Sequence, residues 1–540
     1  MILDTSRLAV AAGLLVSSGA CGPVPRSAEA ALVGVQQAAA PKLIVFITVD
    51  QLRGDMLDRY RADLHYGFAR LMRGARFVNA FQDHAITETA PGHASTMSGR
   101  FPSSTGITSN TAGVFDRNFP LLTGLRNEPG ASPLRFHGTT LTDWLIAKDP
   151  RSHALSVSMK DRAAILPIGR SKQDVYWYSL NGTFTTSTYY RDALPTWVTA
   201  FNARRIPASY TGAEWRLSRD SATYSEPDAV PYENNGVNNV FPHRFPDDTA
   251  QAVQYIRATP AMDSVTALFA LEGLRQTGIG TGPQTDILAV SFSATDVIGH
   301  AYGPDSREAH ENEIRLDQTV GWFLDSLYRL RDSNTVIVAL TGDHGMSPSP
   351  ELARERGEAT GDQGLRVNVW DQVDEARAGL RAAGVDTMAF AYDVETVALD
   401  RAAVTRAHLN PDSILDAFGR AVTRVRGVAR VDRIGTLRKV DFTRDAIARR
   451  WSHQIPPDSP VDLVITLTRY SYWSSIVATH GSPYDQDASV PVIFYGPWVK
   501  PGRYTSFTRV VDMGPTLAAI ARVKPSERLD GVVLKEAIKP

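Results

Sequence analysis

The sequence predicts an α/β fold with a doubly wound, mostly parallel sheet and inserted cap segments. Short, almost continuous aliphatic runs alternate with helical stretches, as is typical of parallel strands buried on both faces. Three runs each lead to an acidic residue: Leu43–Val49 to Asp50, Ile287–Phe292 to Asp296 and Thr335–Leu340 to Asp343. Ligands of open α/β sheets gather outside the carboxyl ends of the strands, so these three carboxylates are candidates for a single site.

Composition points to an ordinary folded chain. The 540 residues are 43% hydrophobic and 21% charged, which corresponds to about two to four domains, or to one large core that carries insertions. The 57 basic and 58 acidic residues leave a net charge of −1. This balance gives no basic platform for nucleic acid or an anionic membrane, and the even spread of apolar residues excludes global disorder.

The N-terminus predicts export, to the periplasm or the outside of the cell. One positive charge at Arg7 precedes the apolar run Leu8–Val16 and small residues. The run is too short to span a bilayer and is typical of a signal peptide, which we assign to residues 1–30 with a cleavage site at 28–30. The alternative is a lipoprotein box that ends at Cys21, which would give a lipid anchor at that residue.

Cys21 is the single cysteine of the sequence. A mature chain that begins after it has no thiol, so disulfides, cysteine metal ligands and cysteine nucleophiles are excluded. Any metal ion must therefore be held by histidine and carboxylate side chains. No later segment is a candidate for a transmembrane span.

The chain divides into a core in three parts and two insertions. The core is expected at 41–170, 286–350 and 475–540. Residues 171–285 are rich in Tyr, Trp, Ser, Asn and Pro, and are predicted to cap the site rather than to join the sheet. Residues 351–474 are charged and helix-prone and form the second predicted insertion.

Six histidine and aspartate side chains follow the predicted strands: Asp50, Asp296, His300, Asp343, His344 and His480. Each alone has an ordinary explanation, as a helix cap or a turn residue. Together they supply two divalent ions with three protein ligands each, which leaves positions open for water or substrate. Two ions about 3.5–4 Å apart would clamp the attacking and leaving oxygens of a displacement at phosphorus.

Thr89 is the candidate nucleophile. It precedes Ala90-Pro91-Gly92 and a helical segment of small residues, which places a hydroxyl near a helix N-terminus. There, free N–H groups and the helix dipole favour an anionic phosphate. A threonine in this context is usually a helix cap, but a neighbouring metal can ionise its hydroxyl.

The segments that contain these residues occur in an order that resembles the alkaline phosphatase superfamily. Within it, the sequence is similar to the bacterial phosphate-monoester hydrolases with a threonine nucleophile, which are related to the nucleotide pyrophosphatase/phosphodiesterase branch. The resemblance implies an alkaline-phosphatase-like sheet and two Zn²⁺ per chain. It implies one zinc near the nucleophile, bound by Asp50, Asp343 and His344. It implies a second zinc near the leaving group, bound by Asp296, His300 and His480.

Three further residues indicate the substrate class. Asn110 matches a family side chain that donates to a phosphoryl oxygen. Lys160 and Arg162 follow the strand-like Ala154–Val157, and would face the same side if the strand continued. An arginine fork and a lysine charge suit a dianionic monoester, and the family associates a Lys-x-Arg pair with monoesterase activity. The alternative is a solvated loop pair, and His93 is expected to be structural.

The sequence differs from two related families at positions that limit the class of reaction. Pro91 stands where alkaline phosphatases with a serine nucleophile have an arginine, so their third, magnesium site is not expected. The segment around Thr89 also lacks the Cys or Ser and the Arg that sulfatases need. We therefore expect a metal-dependent alkaline phosphatase that hydrolyses small phosphate monoesters through a covalent phosphothreonine.

Two alternatives stay open from the sequence. One is a phosphodiesterase or nucleotide pyrophosphatase on the same metals. The other is an exported binding or transferase protein without hydrolytic turnover. The physiological ester and the oligomeric state do not follow from the sequence.

Overall fold

The computed structural model describes residues 39–473 and 476–539. The expected signal peptide and Cys21 lie outside the described residues. None of the helices in the described ranges is both long and apolar enough to cross a bilayer.

The strands are β1 Leu43–Val49, β2 Ala75–Phe77, β3 Ala80–Phe81, β4 Ala154–Ser158, β5 Asp174–Tyr178, β6 Phe184–Thr185, β7 Glu214–Trp215, β8 His243–Arg244, β9 Asp286–Phe292, β10 Val336–Gly342, β11 Phe390–Asp393, β12 Thr396–Leu399, β13 Val428–Arg433, β14 Val461–Leu467, β15 Val492–Tyr495, β16 Gly502–Tyr504 and β17 Thr508–Arg509.

The helices are α1 Met56–Arg59, α2 Gly67–Leu71, α3 Thr89–Ser98, α4 Pro102–Thr105, α5 Leu141–Lys148, α6 Asp161–Ile165, α7 Thr196–Ala203, α8 Thr249–Tyr255, α9 Ala261–Thr277, α10 Ala294–Tyr302, α11 Arg307–Leu330, α12 Pro350–Glu355, α13 Trp370–Ala382, α14 Arg401–Arg406, α15 Pro411–Thr423, α16 Ile434–Leu437, α17 Ala446–Gln454, α18 Asp485–Ala488 and α19 Met513–Ala521.

One mixed sheet carries the candidate site. Within the described ranges it has nine strands, in the order β16-β2-β15-β10-β1-β9-β4-β5-β6. The strands from β10 to β5 pair in parallel, and β15 runs antiparallel to β10. Val49 pairs with Gly342 on one side and with Phe292 on the other, so β1, β9 and β10 end at the same edge. Asp50, which follows β1, is therefore at that edge.

Helices cover both faces of this sheet. Val45 and Ile47 of β1 pack into one apolar core with residues of α9 and α11. Ile44 and Phe46 of the same strand pack into a second core with residues of α3 and α19. Because β1 is buried on both faces, its sequence is a continuous apolar run rather than an alternating one.

The aromatic segment after residue 171 differs in part from the expectation. The sequence analysis assigns it to a cap, but β5 and β6 join the main sheet. Tyr176 is fully buried and packs edge-on against Phe269, with ring centroids 5.6 Å apart. Its hydroxyl donates to Oδ1 of Asp174 at 2.7 Å. A tyrosine whose polar tip is satisfied in this way fits a buried strand as well as an aliphatic residue.

A second, smaller sheet lies within residues 390–467. Its strands run antiparallel in the order β11-β12-β14-β13. Leu380 of α13 and Phe418 of α15 pack with this sheet in a separate apolar core. This segment, which the sequence analysis assigns to the second insertion, therefore contains its own layer of strands and helices.

Candidate active site

Thr89 begins helix α3 at the edge of the sheet where β1, β9 and β10 end. Glu88, in an extended conformation, is the N-cap residue, so Thr89 does not have the capping role that a threonine often has in this context. Its side chain is buried. A Cβ atom on Gly92 would lie 2.1 Å from the carbonyl oxygen of Asp343. Glycine at this position therefore lets the first turn of α3 approach the end of β10 closely.

Two amides at the start of α3 are already engaged within the protein, so they add nothing to the N-terminal phosphate cradle that the sequence predicts. The N–H of Ala90 donates to Oδ1 of Asn110 at 2.9 Å, and that of Gly92 donates to the carbonyl of Glu88 at 3.0 Å. Pro91 has no N–H. The N–H groups of Ala90 and Gly92 are therefore not available to an anion beside Thr89.

One group of metal-ligand side chains consists of Asp296, His300 and His480. Helix α10 places Asp296 and His300 four residues apart on one face. Oδ1 of Asp296 lies 3.3 Å from Nε2 of His300 and 3.4 Å from Nε2 of His480. The three residues that the resemblance groups around the leaving-group zinc are thus brought together.

A second group consists of Asp50, Asp296 and His344. Nε2 of His344 lies 3.5 Å from Oδ1 of Asp50 and 3.9 Å from Oδ1 of Asp296. Asp343, which the resemblance assigns to this zinc, has its Oδ2 3.6 Å from the same nitrogen. The two groups share Asp296 and therefore adjoin each other.

The imidazoles are held in the orientation that metal binding requires. In each of the three histidines, Nδ1 contacts a backbone carbonyl: His300 contacts Ala478 at 2.9 Å, His344 contacts Gly345 at 2.9 Å and His480 contacts Thr87 at 2.7 Å. A carbonyl can only accept, so Nδ1 carries the proton and the lone pair of Nε2 faces the site.

The donor set fits a divalent cation. Oδ1 of Asp50 and Nε2 of His344 are buried and have no hydrogen-bond partner in the described part of the chain. Buried polar atoms are almost always paired. Two such atoms, together with aspartate and histidine neighbours from four separate segments, match the ligands that zinc and similar ions take.

Lys160 supplies positive charge to this site. Its Nζ lies 2.6 Å from Oδ2 of Asp50, 2.5 Å from Oδ2 of Asp296 and 3.3 Å from Oγ1 of Thr89. Burial would lower the pKa of Lys160, but the two carboxylates outweigh it and raise the pKa. Burial would likewise raise the pKa of Asp296, but Lys160 and His300 hold that pKa well below its ordinary value.

The histidines respond to the same negative charge. Burial would lower the pKa of His344, but Asp343 and Asp50 raise it to about 9. The pKa of His480 is lowered by burial and by the neighbouring His344, whose ring stacks on it at 3.6 Å. The negative charge of the buried carboxylates therefore favours a cation at this site.

Lys160 and Arg162 do not lie on a continuing strand, as the alternation argument required. Strand β4 ends at Ser158, and α6 begins at Asp161. Lys160 is therefore the N-cap residue and points into the carboxylates, whereas Arg162 lies in the first turn, with Nη1 3.6 Å from Oδ1 of Asp161. Side chains two apart stay on one side only while the backbone remains extended.

Asn110 is fixed beside the nucleophile by two hydrogen bonds. Its side-chain Oδ1 accepts from the N–H of Ala90, and its backbone N–H donates to Oε2 of Glu88 at 2.6 Å. Because Oδ1 is engaged, Nδ2 is the atom that the amide can present to a ligand next to Thr89.

His93, which is expected to be structural, has both ring nitrogens in contact with the protein, and Gln51 is not among the site residues that the sequence predicts. Nδ1 of His93 lies 2.9 Å from the carbonyl of Thr89, and Nε2 lies 2.9 Å from Oγ of Ser291. Gln51 contacts two of the candidate ligands, Asp296 and Asp343. No pattern in a single sequence marks a glutamine after a strand-end aspartate, so only the three-dimensional arrangement reveals these contacts.

The chain is similar over most of its length to proteins named alkaline phosphatases. Alkaline phosphatase PhoV of Synechococcus elongatus is 30% identical over 93% of this chain and 94% of its own length. A crystal structure of alkaline phosphatase PafA superposes with a TM-score of 0.84 at 27% identity, and covers 93% of this chain and 100% of that one. This match confirms the fold expected from the resemblance.

A second solved structure is of a PafA variant, with a TM-score of 0.83 and 26% identity over 93% of this chain and 100% of that one. In this variant a threonine is replaced by serine, and an asparagine, a lysine and an arginine are replaced by alanine. A human ectonucleotide pyrophosphatase/phosphodiesterase, family member 7, is 33% identical, but over only 16% of this chain and 16% of its own length.

The family model described as type I phosphodiesterase / nucleotide pyrophosphatase matches residues 44–412. That range is more than half of the chain, and the resemblance noted in the sequence is confirmed. The chain belongs to the type I phosphodiesterase / nucleotide pyrophosphatase family.

Proposed function

We propose that this chain is a metal-dependent alkaline phosphatase, a phosphomonoesterase with Thr89 as its nucleophile. One observation carries the proposal: Oγ1 of Thr89 lies 3.3 Å from Nζ of Lys160, which also contacts Asp50 and Asp296. A hydroxyl beside a cation and two groups of metal ligands is placed for nucleophilic catalysis. Alkaline phosphatase PhoV and alkaline phosphatase PafA both match over 93% of this chain, which supports this reaction class.

The proposed metals are two zinc ions. One is held by Asp50, Asp343 and His344, near the nucleophile, and the other by Asp296, His300 and His480, near the leaving group. When bound, such ions lower the pKa of a neighbouring hydroxyl and stabilise charge on a departing oxygen. Three protein ligands of mixed nitrogen and oxygen type for each ion are typical of catalytic zinc.

The reaction proceeds in two displacements at phosphorus. Oγ1 of Thr89, having lost its proton to solvent, forms a bond to phosphorus while the bond from phosphorus to the alcohol oxygen of the ester breaks. That oxygen takes up a proton from solvent. The product of this step is phosphothreonine at residue 89 and a free alcohol. Water then attacks the phosphothreonine, which releases phosphate and restores the hydroxyl of Thr89.

Three side chains stabilise the transferring phosphoryl group in this proposal: Asn110, Lys160 and Arg162. Such stabilisation is the main route by which proteins accelerate phosphoryl transfer. The replaced residues of the PafA variant are of the same four types as these three and Thr89. Its threonine and asparagine have the same separation as Thr89 and Asn110, and its lysine and arginine the same separation as Lys160 and Arg162.

A second candidate function is a phosphodiesterase or nucleotide pyrophosphatase at the same site, which the description of the family model favours. The monoesterase has more support because Lys160 places a cation 3.3 Å from Oγ1 of Thr89, which suits a dianionic phosphate, whereas a diester carries a single charge. In addition, the human ectonucleotide pyrophosphatase/phosphodiesterase family member 7 matches only 16% of the chain.

The test compares catalytic efficiency on an aryl phosphate and on the bis-aryl diester with the same leaving group. We expect higher kcat/KM on the monoester, with release of free phosphate that a chelator abolishes and zinc restores. A strong diester preference would replace the proposal by the second candidate. No phosphate release from either ester by the zinc-loaded protein would favour a binding or transferase role instead.

Export is proposed on the N-terminal pattern alone, with the chain in the periplasm or outside the cell. Intact-mass measurement of the mature protein distinguishes the two modes of processing. Cleavage after residue 30 gives a thiol-free chain, whereas a lipoprotein begins at Cys21 and carries the added mass of acyl chains.

A further inference from the structure

We propose that Gln51 is a positioning residue that holds the carboxylates of both ligand groups in place and thereby sets the affinity of the site for zinc. The inference rests on the proposed function for its chemistry. The backbone N–H of Gln51 donates to Oδ1 of Asp343 at 2.9 Å. Its side-chain Nε2 donates to Oδ1 of Asp296 at 3.1 Å, and lies 3.3 Å from the backbone carbonyl of Asp296.

The backbone at Gln51 adopts a conformation that glutamine normally avoids. Its φ is 70°, and the N–H of Leu52 donates to the carbonyl of Val49 at 3.2 Å. This hydrogen bond closes a turn directly after Asp50, with Gln51 at the position where a positive φ usually selects glycine or asparagine. A glutamine there is unfavourable for the turn itself, so the reason for it lies in what its side chain contacts.

Helix α10 makes room for that side chain. A Cβ atom on Gly299 would lie 1.8 Å from Oε1 of Gln51, and Gly299 stands between Asp296 and His300 on the helix. Glycine inside a helix is itself unfavourable. Two locally unfavourable residues, the left-handed Gln51 and the helical Gly299, thus meet at one contact beside the ligands.

In both Asp343 and Asp296, the two carboxylate oxygens have different partners. Oδ1 of Asp343 accepts from the N–H groups of Gln51 and His344, at 2.9 and 3.0 Å. Oδ2 of Asp343 lies 3.6 Å from Nε2 of His344 and 3.1 Å from Nδ1 of His93. For Asp296, Gln51 contacts Oδ1 and Lys160 contacts Oδ2. Gln51 is the uncharged donor of the two, so it orients this shared carboxylate without competing as a cation.

Two variants separate positioning from fold. Gln51→Gly removes the side chain and relieves the positive φ, while Gln51→Met keeps the length beside Gly299 and removes the N–H donor. Gln82 is the matched control, because it is buried and its Nε2 donates to the carbonyls of Gly92 and Gly342 rather than to a proposed ligand side chain. For each protein, zinc affinity is measured by competition with a chromophoric chelator, and Tm is measured with and without zinc.

We expect both Gln51 variants to bind zinc about 10–100-fold more weakly than the wild type, as is usual when a residue that orients metal ligands is lost. The zinc-free Tm of Gln51→Gly should equal or exceed that of the wild type, because strain is relieved. Gln82→Met should lower Tm and leave zinc affinity unchanged.

Zinc affinity within twofold of the wild type in Gln51→Met would overturn the assignment, as would an equal loss of affinity in Gln82→Met. These binding measurements do not depend on turnover. If the wild type bound zinc but released no phosphate, the proposed function would fail while the role of Gln51 would still be decided.

Discussion

Nζ of Lys160 lies 2.6 Å from Oδ2 of Asp50, inside the group of carboxylates that are candidates for metal binding. Both side chains are buried. Removing either charge would leave the other in a low-dielectric environment, which costs far more than losing a surface ion pair. The lysine therefore has two roles to fill: it neutralises the carboxylates, and it lies within reach of the nucleophile.

Replacing Lys160 by methionine should destabilise the zinc-free protein strongly. Loss of one partner from a buried pair costs about 3–5 kcal/mol, so the zinc-free Tm should fall by several degrees. Added zinc should recover most of this loss, since it supplies positive charge to the same carboxylates. Scanning calorimetry with and without zinc measures both effects.

The matched control is Arg162→Met, because Arg162 is partly exposed and its Nη1 lies 3.6 Å from Oδ1 of Asp161, which is also partly exposed. It should change the zinc-free Tm little. Equal effects of the two substitutions, or no recovery of Lys160→Met by zinc, would contradict this picture of the site.

Thr89→Ala should reduce turnover of an aryl phosphate by several orders of magnitude, because no other hydroxyl is assigned to form the covalent intermediate. Zinc content should remain near the wild-type level, as Thr89 is not among the six proposed ligands. Thr89→Ser retains a hydroxyl and is the control that should keep substantial activity. Wild-type turnover in Thr89→Ala would remove this residue from the nucleophile role.

Asn110→Asp tests the amide as a donor without disturbing the start of α3. The carboxylate can still accept from the N–H of Ala90, as Oδ1 of Asn110 does at 2.9 Å, but it offers no N–H and repels a phosphoryl oxygen. We expect kcat/KM on a monoester to fall by about 10²–10³-fold, comparable to loss of an oxyanion donor. An unchanged kcat/KM at unchanged Tm would show that Asn110 does not contact the substrate.

Stability should depend on pH through Glu233. Burial raises its pKa to about 9, helped by Glu308 and Asp228, and its Oε2 has no partner in the described ranges. The unfolded chain ionises this group near its ordinary value. Its contribution to stability is therefore complete below about pH 4.5 and is lost as the pH rises toward 9.

Glu233→Gln cannot ionise, so the Tm of this variant should exceed that of the wild type by an amount that grows from pH 5 to pH 9. The difference should then level off. Glu358→Gln, which removes a charge from an exposed residue, should show no such trend. A difference between Glu233→Gln and the wild type that is independent of pH would mean that Glu233 is ionised in the folded protein.

Local patterns in the sequence are sufficient to locate strand β1. Strand β1 begins and ends where its aliphatic run does, because a strand buried on both faces has no polar positions to interrupt it. The segment around Tyr176 is assigned to a cap from its sequence because buried aromatic strands and aromatic cap loops have a similar composition. Lys160 and Arg162 are not on one face of a strand, as alternation would require, because β4 ends two residues before Lys160.

Contacts between distant segments could not be predicted from the sequence. Gln51 meets Asp296 and Asp343 across 245 and 292 residues, and its effect depends on a turn with positive φ that no local motif announces. The division of the six ligands between two ions likewise came from the family resemblance. The sequence shows which residues could bind a metal ion. The register between strands determines which of these residues lie close enough to bind the same ion.

The central claim is that Asp50, Asp296, His300, Asp343, His344 and His480 bind a pair of cations next to the hydroxyl of Thr89. Anomalous scattering at the zinc edge, from crystals grown with zinc, tests it most directly. We expect two peaks in contact with these six side chains, about 3.5–4 Å apart, with Oγ1 of Thr89 beside one of them. Peaks bound elsewhere, or Thr89 directed away from both ions, would contradict the account.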